Sequence, residues 1–209
     1  SDLNDAPAKN DSQPPKIIML SDPDTPDRSD GLMGLGPDPE PVIKKNLFKL
    51  AEMGADLLAV PCNTAHYFID RFRSELPVPL IHIVESTVDA AIELSKGNCS
   101  WLLATDGTIK SLIYQTYAQK NNYFFLKPSS EQQDNIQSCI RLVKAGDLFT
   151  AGEILRDTIN ELWRERDVPV TMGCTEIPLA YAASGLPDDK QVSSLKALSD
   201  SCLRVLYEL

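Results

Sequence analysis

The chain has 209 residues, 43% of them hydrophobic and 24% charged, which is ordinary for a globular protein that buries a core in one large or two small domains. Its formal net charge of −10 argues against a nucleic-acid-binding surface and against an anionic membrane as partner. No apolar run approaches the ~20 residues of a membrane span, and the first residues lack the basic and apolar regions of a signal peptide.

Apolar runs that predict strands alternate along the chain with stretches of helical period. Most of the runs are nearly all apolar, as expected for parallel strands covered on both faces. The predicted strands are 16–20, 56–60, 80–84, 100–104, 123–126 and 168–172. The predicted helices are 41–53, 64–75, 85–94, 108–120, 131–144, 147–166 and 192–207. This order predicts an α/β fold with mainly parallel sheets flanked by helices.

Residues 21–39 are rich in proline, glycine and aspartate and predict a long ordered loop. Loops of that length in compact domains are usually functional or disordered. The Pro77-Val78-Pro79 sequence is a candidate hinge between two halves. We therefore predict one α/β domain from residues 1–79 with 188–209, and a second from residues 80–187.

Two similar motifs, one in each half of the chain, carry the chemistry. Cys62 ends an apolar run and opens Cys-Asn-Thr-Ala-His, and Cys174 ends another and opens Cys-Thr-Glu-Ile-Pro-Leu. In both, a thiol is expected where a strand turns into a helix, a position that lowers a cysteine pKa and offers N–H groups to a carboxylate. The pair indicates a duplicated unit whose two thiols face one cleft, one to remove a proton and one to return it.

The same symmetry predicts a missing segment at the front of the chain. In the second half, the strand 100–104 leads into the Thr105-Asp106-Gly107-Thr108 turn well before Cys174. The matching turn before Cys62 would fall ahead of residue 1. We therefore expect the first strand and helix of domain 1 to be missing, with residues 1–15 as the tail of that helix and a connection.

The five cysteines favour reduced thiols and a cytoplasmic location, because their number is odd and none form a Cys-x-x-Cys pair. Neither a disulfide framework nor a zinc site fits this spacing. Cys99, Cys139 and Cys202 fall inside predicted strands or helices and are interpreted as small buried apolar residues.

The two cysteine motifs together resemble the signature motifs of the aspartate/glutamate racemase family, closest to its aspartate racemases. The resemblance runs from about Lys16 to the C-terminus and includes Pro26-Asp27-Arg28, the turn at 104–108 and Lys144-Ala145-Gly146. It implies two pseudo-symmetric domains with mainly parallel four-stranded sheets, an active site in the interdomain cleft, and a homodimer. It also implies a racemase that needs no cofactor or metal and acts on aspartate or, in second place, glutamate.

Residue roles follow from the resemblance. It implies that Cys62 and Cys174 are the two acid/base residues, and that Arg28 and Lys144 are basic residues that reach the substrate. It also implies a set of residues that holds the α-carboxylate and the amine: Asn63, Thr64, Thr105 and Thr175.

Four assignments keep a second interpretation, and for Lys144 it is a lysine that serves the C-terminus of its helix beside Gly146. Arg28 could clamp a carboxylate with two hydrogen bonds or balance neighbouring aspartates at the surface. Glu176 could orient the substrate's ammonium group or raise the pKa of Cys174. His66, one helical turn beyond Cys62, could tune that thiol or serve the helix structurally, whereas His82 is interpreted as a hydrogen-bonded core residue and Tyr114 as packing.

Three alternatives to racemisation remain open. One is a carboxylate-binding or regulatory protein whose activity is reduced or lost with the missing first strand. Another is a related isomerase or decarboxylase of small diacids. The third is a thiol-redox protein, which would require Cys62 and Cys174 to oxidise together.

Overall fold

The computed structural model describes residues 15–95 and 97–207. Within them lie ten α-helices, which are α1 Arg28–Met33, α2 Glu40–Glu52, α3 Ala65–Ile69, α4 Ile83–Leu94, α5 Asp106–Ser111, α6 Ile113–Gln119, α7 Ser130–Lys144, α8 Leu148–Glu165, α9 Ile177–Ser184 and α10 Ser194–Tyr207. The strands are β1 Leu58–Ala59, β2 Leu80–Ile81, β3 Cys99–Leu103, β4 Phe124–Leu126, β5 Val170–Met172 and β6 Gln191–Ser193. No helix in the described part of the chain combines the length and apolarity needed to cross a bilayer.

All strand pairs are parallel, which confirms the predicted α/β class. A four-stranded sheet has the order β4-β3-β5-β6, with Leu102 opposite Thr171 and Thr171 opposite Val192. A second sheet in the described residues contains only β1 and β2, with Leu58 opposite Leu80. The prediction of a four-stranded first sheet is therefore wrong for the described part of the chain.

The four-stranded sheet has apolar layers on both faces. Side chains of β3 alternate between them: Trp101 and Leu103 pack with α7, α8 and α9, whereas Leu102 packs with α4, α6 and α10. Burial of both faces explains why β3 and β5 are apolar except at Ser100 and Thr171, whose hydroxyls hydrogen-bond each other at 2.7 Å. A smaller core joins α2, α3 and the two-stranded sheet.

The predicted strand at 16–20 is wrong. This segment has no regular secondary structure and no strand partner among the described residues, and Ile17 and Met19 are 82% and 86% exposed. An apolar run resembles a buried strand in sequence, but it forms a ladder only where a neighbouring strand supplies hydrogen-bond partners. The expectation for residues 1–15 lies, except for Pro15, outside the described residues.

Several predicted boundaries need correction because local capping ends or starts an element. The strand expected at 80–84 stops at Ile81, since the His82 side chain accepts a hydrogen bond from Glu85 N and starts α4. The helix expected at 108–120 is two helices that meet at Leu112, whose φ of 58° is left-handed.

The other corrections concern short elements. The helix expected at 64–75 ends at Ile69 and is followed by a 3₁₀ helix at Arg73–Glu75. The loop expected at 21–39 contains α1, which Asp27 caps by accepting from Ser29 N and Asp30 N. Strand β6 was not predicted, and helix α9 gives its bounds to the helix that was expected after Cys174 without a range.

The two-unit division at 1–79 with 188–209, and 80–187, stays a prediction. Strand pairing crosses this division at two places. Strand β2 falls in the predicted second unit but pairs with β1 of the first. Strand β6 falls in the predicted first unit but pairs with β5 of the second. Helix α10 packs mainly on α4 and also contacts β6 and β2, so this helix touches both sheets.

Candidate active site

One cavity collects every residue to which the resemblance gives an acid/base or substrate-binding role, together with Glu176. Its volume is about 110 Å³, which suits a small ligand. The predicted residues that line it are Arg28, Cys62, Asn63, Thr64, Thr105, Lys144, Cys174, Thr175 and Glu176. Asp27, Ser29, Pro61 and Gly173 complete the lining.

The two cysteines reach this cavity from the carboxyl ends of parallel strands in different sheets. Cys62 lies in the turn between β1 and α3, where its N–H donates to Val60 O at 2.8 Å. Cys174 lies between β5 and α9 and is 6% exposed. Strand ends of this kind are where α/β folds expose side chains to ligands, so the predicted placement of both thiols is confirmed.

Cys174 is held as a thiol by its surroundings. Burial raises its pKa well above the ordinary value, and the charge and hydrogen bond of Glu176 raise it further. The Sγ–H donates to Glu176 Oε2 at 2.9 Å, and Thr175 Oγ1 donates to the same oxygen at 3.1 Å. Lys144 Nζ lies 3.8 Å from Glu176 Oε1. The second interpretation of Glu176, that it raises the pKa of Cys174, agrees with this geometry.

Cys62 is half-buried, and its backbone is held by a buried histidine. His66 Nδ1 lies 2.9 Å from the carbonyl oxygen of Cys62, and His66 Nε2 accepts from Ile83 N at 3.4 Å. His66 is therefore the neutral tautomer that donates from Nδ1. Burial, followed by the nearby His82, lowers the pKa of His66 to about 3. Its ring contacts the Cys62 backbone carbonyl, which favours the structural interpretation of this residue.

His82 is the hydrogen-bonded core histidine that the sequence predicted. Its Nδ1 accepts from Glu85 N at 3.3 Å, so Nε2 carries the hydrogen that faces Asp70 Oδ1 at 3.2 Å. Tyr117 donates to the same aspartate oxygen at 3.0 Å. The His82 ring packs against that of His66, and His82, Asp70 and Tyr117 do not line the cavity.

Threonine hydroxyls form a continuous network along the cavity. Thr64 Oγ1 lies 2.8 Å from Thr108 Oγ1 and 3.3 Å from Thr105 Oγ1. Thr105 also caps α5, because its hydroxyl accepts from Thr108 N. Ser29 Oγ, at 3.5 Å from Thr105 Oγ1, connects α1 to this network. Such hydroxyls can donate to or accept from a bound ligand.

Two cations are available at the cavity. Arg28 begins α1 and donates from one guanidinium nitrogen to Pro26 O at 3.2 Å. None of the ion pairs found among residues 15–95 and 97–207 involves Arg28, so the neighbouring aspartates do not neutralise it there. Lys144, at the end of α7, is half exposed. Both can meet an anionic ligand.

The sequence missed two residues that support Asn63 from outside the cavity. Tyr114 donates its hydroxyl to Asn63 Oδ1 at 2.6 Å, and Asn63 Nδ2 donates to Ser194 Oγ at 3.0 Å. Tyr114, Asn63 and Ser194 are all buried. No local signal identifies either partner, since they are 51 and 131 positions from Asn63 in the chain.

The remaining side chains bear on cofactor chemistry. All five cysteines are free thiols. Within the described ranges, no group of three or more histidine, cysteine, aspartate or glutamate side chains is arranged to hold a metal ion. The cavity is thus lined by thiols, hydroxyls, an amide, carboxylates and cations, a set suited to proton transfer on a small polar molecule.

Comparison with known sequences identifies the family. Residues 3–197 match the Asp/Glu/Hydantoin racemase family. The broad specificity amino-acid racemase RacX of Bacillus subtilis is 30% identical over 129 residues, which are 62% of this chain and 56% of that protein. A glutamate racemase of Staphylococcus epidermidis is 28% identical over 184 residues, 79% of this chain and 68% of that protein. The chain therefore matches between about half and two thirds of the length of these relatives.

Solved structures agree on the fold. The aspartate racemase of Picrophilus torridus superposes with a TM-score of 0.80 at 24% identity, over 96% of this chain and 84% of that one. An aspartate racemase homologue from Pyrococcus horikoshii gives a TM-score of 0.65 at 22% identity, over 81% of this chain and 73% of that one. Since the family match extends over nearly the whole sequence, the chain belongs to the Asp/Glu/Hydantoin racemase family.

Proposed function

We propose that this protein racemises aspartate, or in second place glutamate, by a two-cysteine acid/base mechanism without pyridoxal phosphate. The observation that carries the proposal is that Cys62 and Cys174, from two different sheets, line one small cavity together with Arg28 and Lys144. Family membership supports racemisation as the class of reaction. The names of the aspartate, glutamate and broad-specificity relatives support an amino-acid substrate.

The proposed reaction moves two protons. The thiolate of one cysteine forms an S–H bond with the α-proton of the substrate, and the C–H electron pair passes to the α-carbon and its carboxylate. The thiol of the other cysteine then gives its proton to the opposite face of that carbon and becomes the thiolate. Product release leaves the two sulfurs with exchanged protonation states, ready for the reverse direction.

The surroundings of Cys174 fit the acid in this scheme. Its raised pKa keeps the sulfur protonated at neutral pH. Glu176 Oε2, 2.9 Å from Sγ, accepts the hydrogen bond of the thiol and so favours its protonated form. Glu176 would thus act on the thiol, while its role in binding the substrate's ammonium group stays a prediction.

Substrate binding would use the polar groups of the cavity. Arg28 can hold the side-chain carboxylate with two parallel hydrogen bonds, and Lys144 adds a second positive charge. Hydroxyl and amide groups of Asn63, Thr64, Thr105 and Thr175 would hold the α-carboxylate and the amine. Fixed donors of this kind stabilise the negative charge that develops when the α-proton leaves, provided that water is excluded.

The test is racemisation of L-aspartate by purified protein, followed by chiral chromatography. We expect D-aspartate to form with wild type and to fall below detection with Cys62→Ala and with Cys174→Ala. Cys202→Ala is the matched control, because this half-buried thiol lies on α10 outside the cavity. Absence of racemisation of both aspartate and glutamate by wild type would contradict the proposal.

Further measurements on the same purified protein separate the other functions. Binding of L-aspartate to wild type without α-proton exchange would indicate a carboxylate-binding protein. Loss of a carboxyl group from a small diacid would indicate a decarboxylase. Conversion of an unsaturated diacid between its cis and trans forms would indicate an isomerase. A homodimer and a cytoplasmic location stay predictions; sedimentation of the purified chain tests the first.

A further inference from the structure

Asn63 is the only amide side chain among the described residues that line the cavity, and an amide serves a ligand differently in its two orientations. With its nitrogen free it donates to a carboxylate, and with its oxygen free it accepts from an ammonium group. Two buried side chains outside the cavity contact this amide, Tyr114 at one end and Ser194 at the other.

The distances favour one orientation. The 2.6 Å contact with Tyr114 has the length of an O–H···O hydrogen bond, whereas N–H···O bonds cluster near ~2.9–3.0 Å. The Asn63 oxygen therefore faces the tyrosine, and its nitrogen donates to Ser194 at 3.0 Å. An amide nitrogen carries two hydrogens, so one N–H remains for a ligand in the cavity.

Tyr114 also contacts the second cysteine motif. A Cβ added to Gly173 would lie 3.0 Å from Tyr114 Cε2, so the ring packs directly against the residue before Cys174. The tyrosine hydroxyl supports Asn63, next to Cys62, while its ring supports the backbone beside the other thiol. One side chain thus links both motifs from within the core.

We propose that Tyr114, together with Ser194 at the start of α10, is a positioning residue that fixes the Asn63 amide as an N–H donor for the substrate's carboxylate. The inference rests on the proposed function for the identity of the ligand, but not for the orientation of the amide. The proposal gives helix α10 a role at the site through Ser194, although no residue of α10 lines the cavity.

The first test compares Tyr114→Phe with Tyr123→Phe. The two tyrosines share one buried core, but the Tyr123 hydroxyl contacts no cavity residue, so its removal reports the general cost of losing a buried hydroxyl. We expect Tyr114→Phe to raise KM for L-aspartate by up to about tenfold, the effect of one hydrogen bond, with a smaller change in kcat. Tyr123→Phe should leave KM unchanged.

A double-mutant cycle separates positioning from general support. If Tyr114 acts through Asn63, Tyr114→Phe should not raise KM further in an Asn63→Ala background. Equal effects of Tyr114→Phe in both backgrounds, or an unchanged KM in the single variant, would overturn the proposal.

A spectroscopic test remains decisive even if the protein turns over neither aspartate nor glutamate. The side-chain NH₂ signals of Asn63 are identified in a ¹⁵N–¹H spectrum by their loss in Asn63→Ala. We expect these signals to move in Tyr114→Phe and in Ser194→Ala but not in Tyr123→Phe. Unmoved Asn63 signals in Tyr114→Phe would refute the positioning role, whereas failed racemisation with moved signals would refute only the proposed function.

Discussion

Cys174 is a cavity thiol whose pKa is raised well above its ordinary value, and Glu176 is the charged side chain in contact with it. The thiol is buried, its S–H donates to a carboxylate oxygen of Glu176, and both burial and negative charge oppose formation of the thiolate. The hydrogen bond from the thiol to Glu176 stabilises the protonated sulfur and so raises the pKa of Cys174, as the carboxylate charge does. The chemical state of Cys174 therefore depends on Glu176 more than on any other neighbour.

Replacing Glu176 tests this dependence. We expect Glu176→Gln to lower the pKa of Cys174, because the amide keeps the size of the side chain and removes its charge. The pH dependence of Cys174 alkylation by iodoacetamide, followed by peptide mass spectrometry, measures the change. Glu161→Gln on the exposed face of α8 changes the net charge equally and should have no effect; an unchanged Cys174 profile in Glu176→Gln would contradict the assignment.

His66 makes a separate prediction about acid stability. Its pKa of about 3 in the folded state lies below the value of 6.5 expected for the unfolded chain. The unfolded state thus binds more protons between these values, so stability is present near neutral pH and is lost as pH falls through this window. From pH 7 to pH 5 the loss due to His66 amounts to about 2 kcal/mol.

Urea unfolding at pH 7 and pH 5 measures this loss. His66→Gln removes the titrating group, so the variant should be less stable at pH 7 but lose less stability on acidification than wild type. The same pH dependence in both proteins would show that His66 is not held in its neutral form.

At the scale of elements, the docking of α1 on α5 positions Arg28. The contact is close because it occurs at Gly107: a Cβ added there would lie 2.8 Å from Ser29 Oγ and 3.0 Å from Ser29 Cα. The second of these is a backbone atom, so the helix itself would have to move. Glycine at this position thus allows α1 to bring Arg28 to the cavity.

Gly107→Ala tests the role of this contact. We expect KM for L-aspartate to rise by roughly tenfold, because the cationic contact is misplaced, while alanine's better helix propensity limits the change in unfolding free energy. Gly97→Ala is the matched control, since nothing lies within 4 Å of its added Cβ. An unchanged KM in Gly107→Ala would show that α1 does not position the arginine.

Elements were predictable from sequence where burial imposes a simple pattern. Strands β3 and β5 are buried along their whole length because helices cover both faces of the sheet, so all their residues except Ser100 and Thr171 are apolar. The same pattern failed at 16–20, where no neighbouring strand was found in the described chain. Strand β6 was missed because Val192 is its only buried residue, so its sequence lacks a continuous apolar run.

At the scale of the whole molecule, the site could be predicted because its residues belong to short motifs. Each cysteine follows a strand and carries its polar neighbours in adjacent positions, so finding the motifs finds most of the cavity lining. Tyr114 and Ser194 could not be found in this way, because their contacts with Asn63 depend on how distant helices pack. The roles of the cavity residues remain proposals that rest on this geometry and on the family.

The central claim, that two cysteines act on opposite faces of one carbon, is tested most directly by α-deuterium exchange in heavy water with each enantiomer of aspartate. Wild type should exchange and invert both. Cys62→Ala and Cys174→Ala should invert neither, and each should retain slow exchange of only one enantiomer, the opposite one in the two variants, because one sulfur still reaches one face. Exchange of both enantiomers by either single-cysteine variant, or inversion by it, would contradict the account.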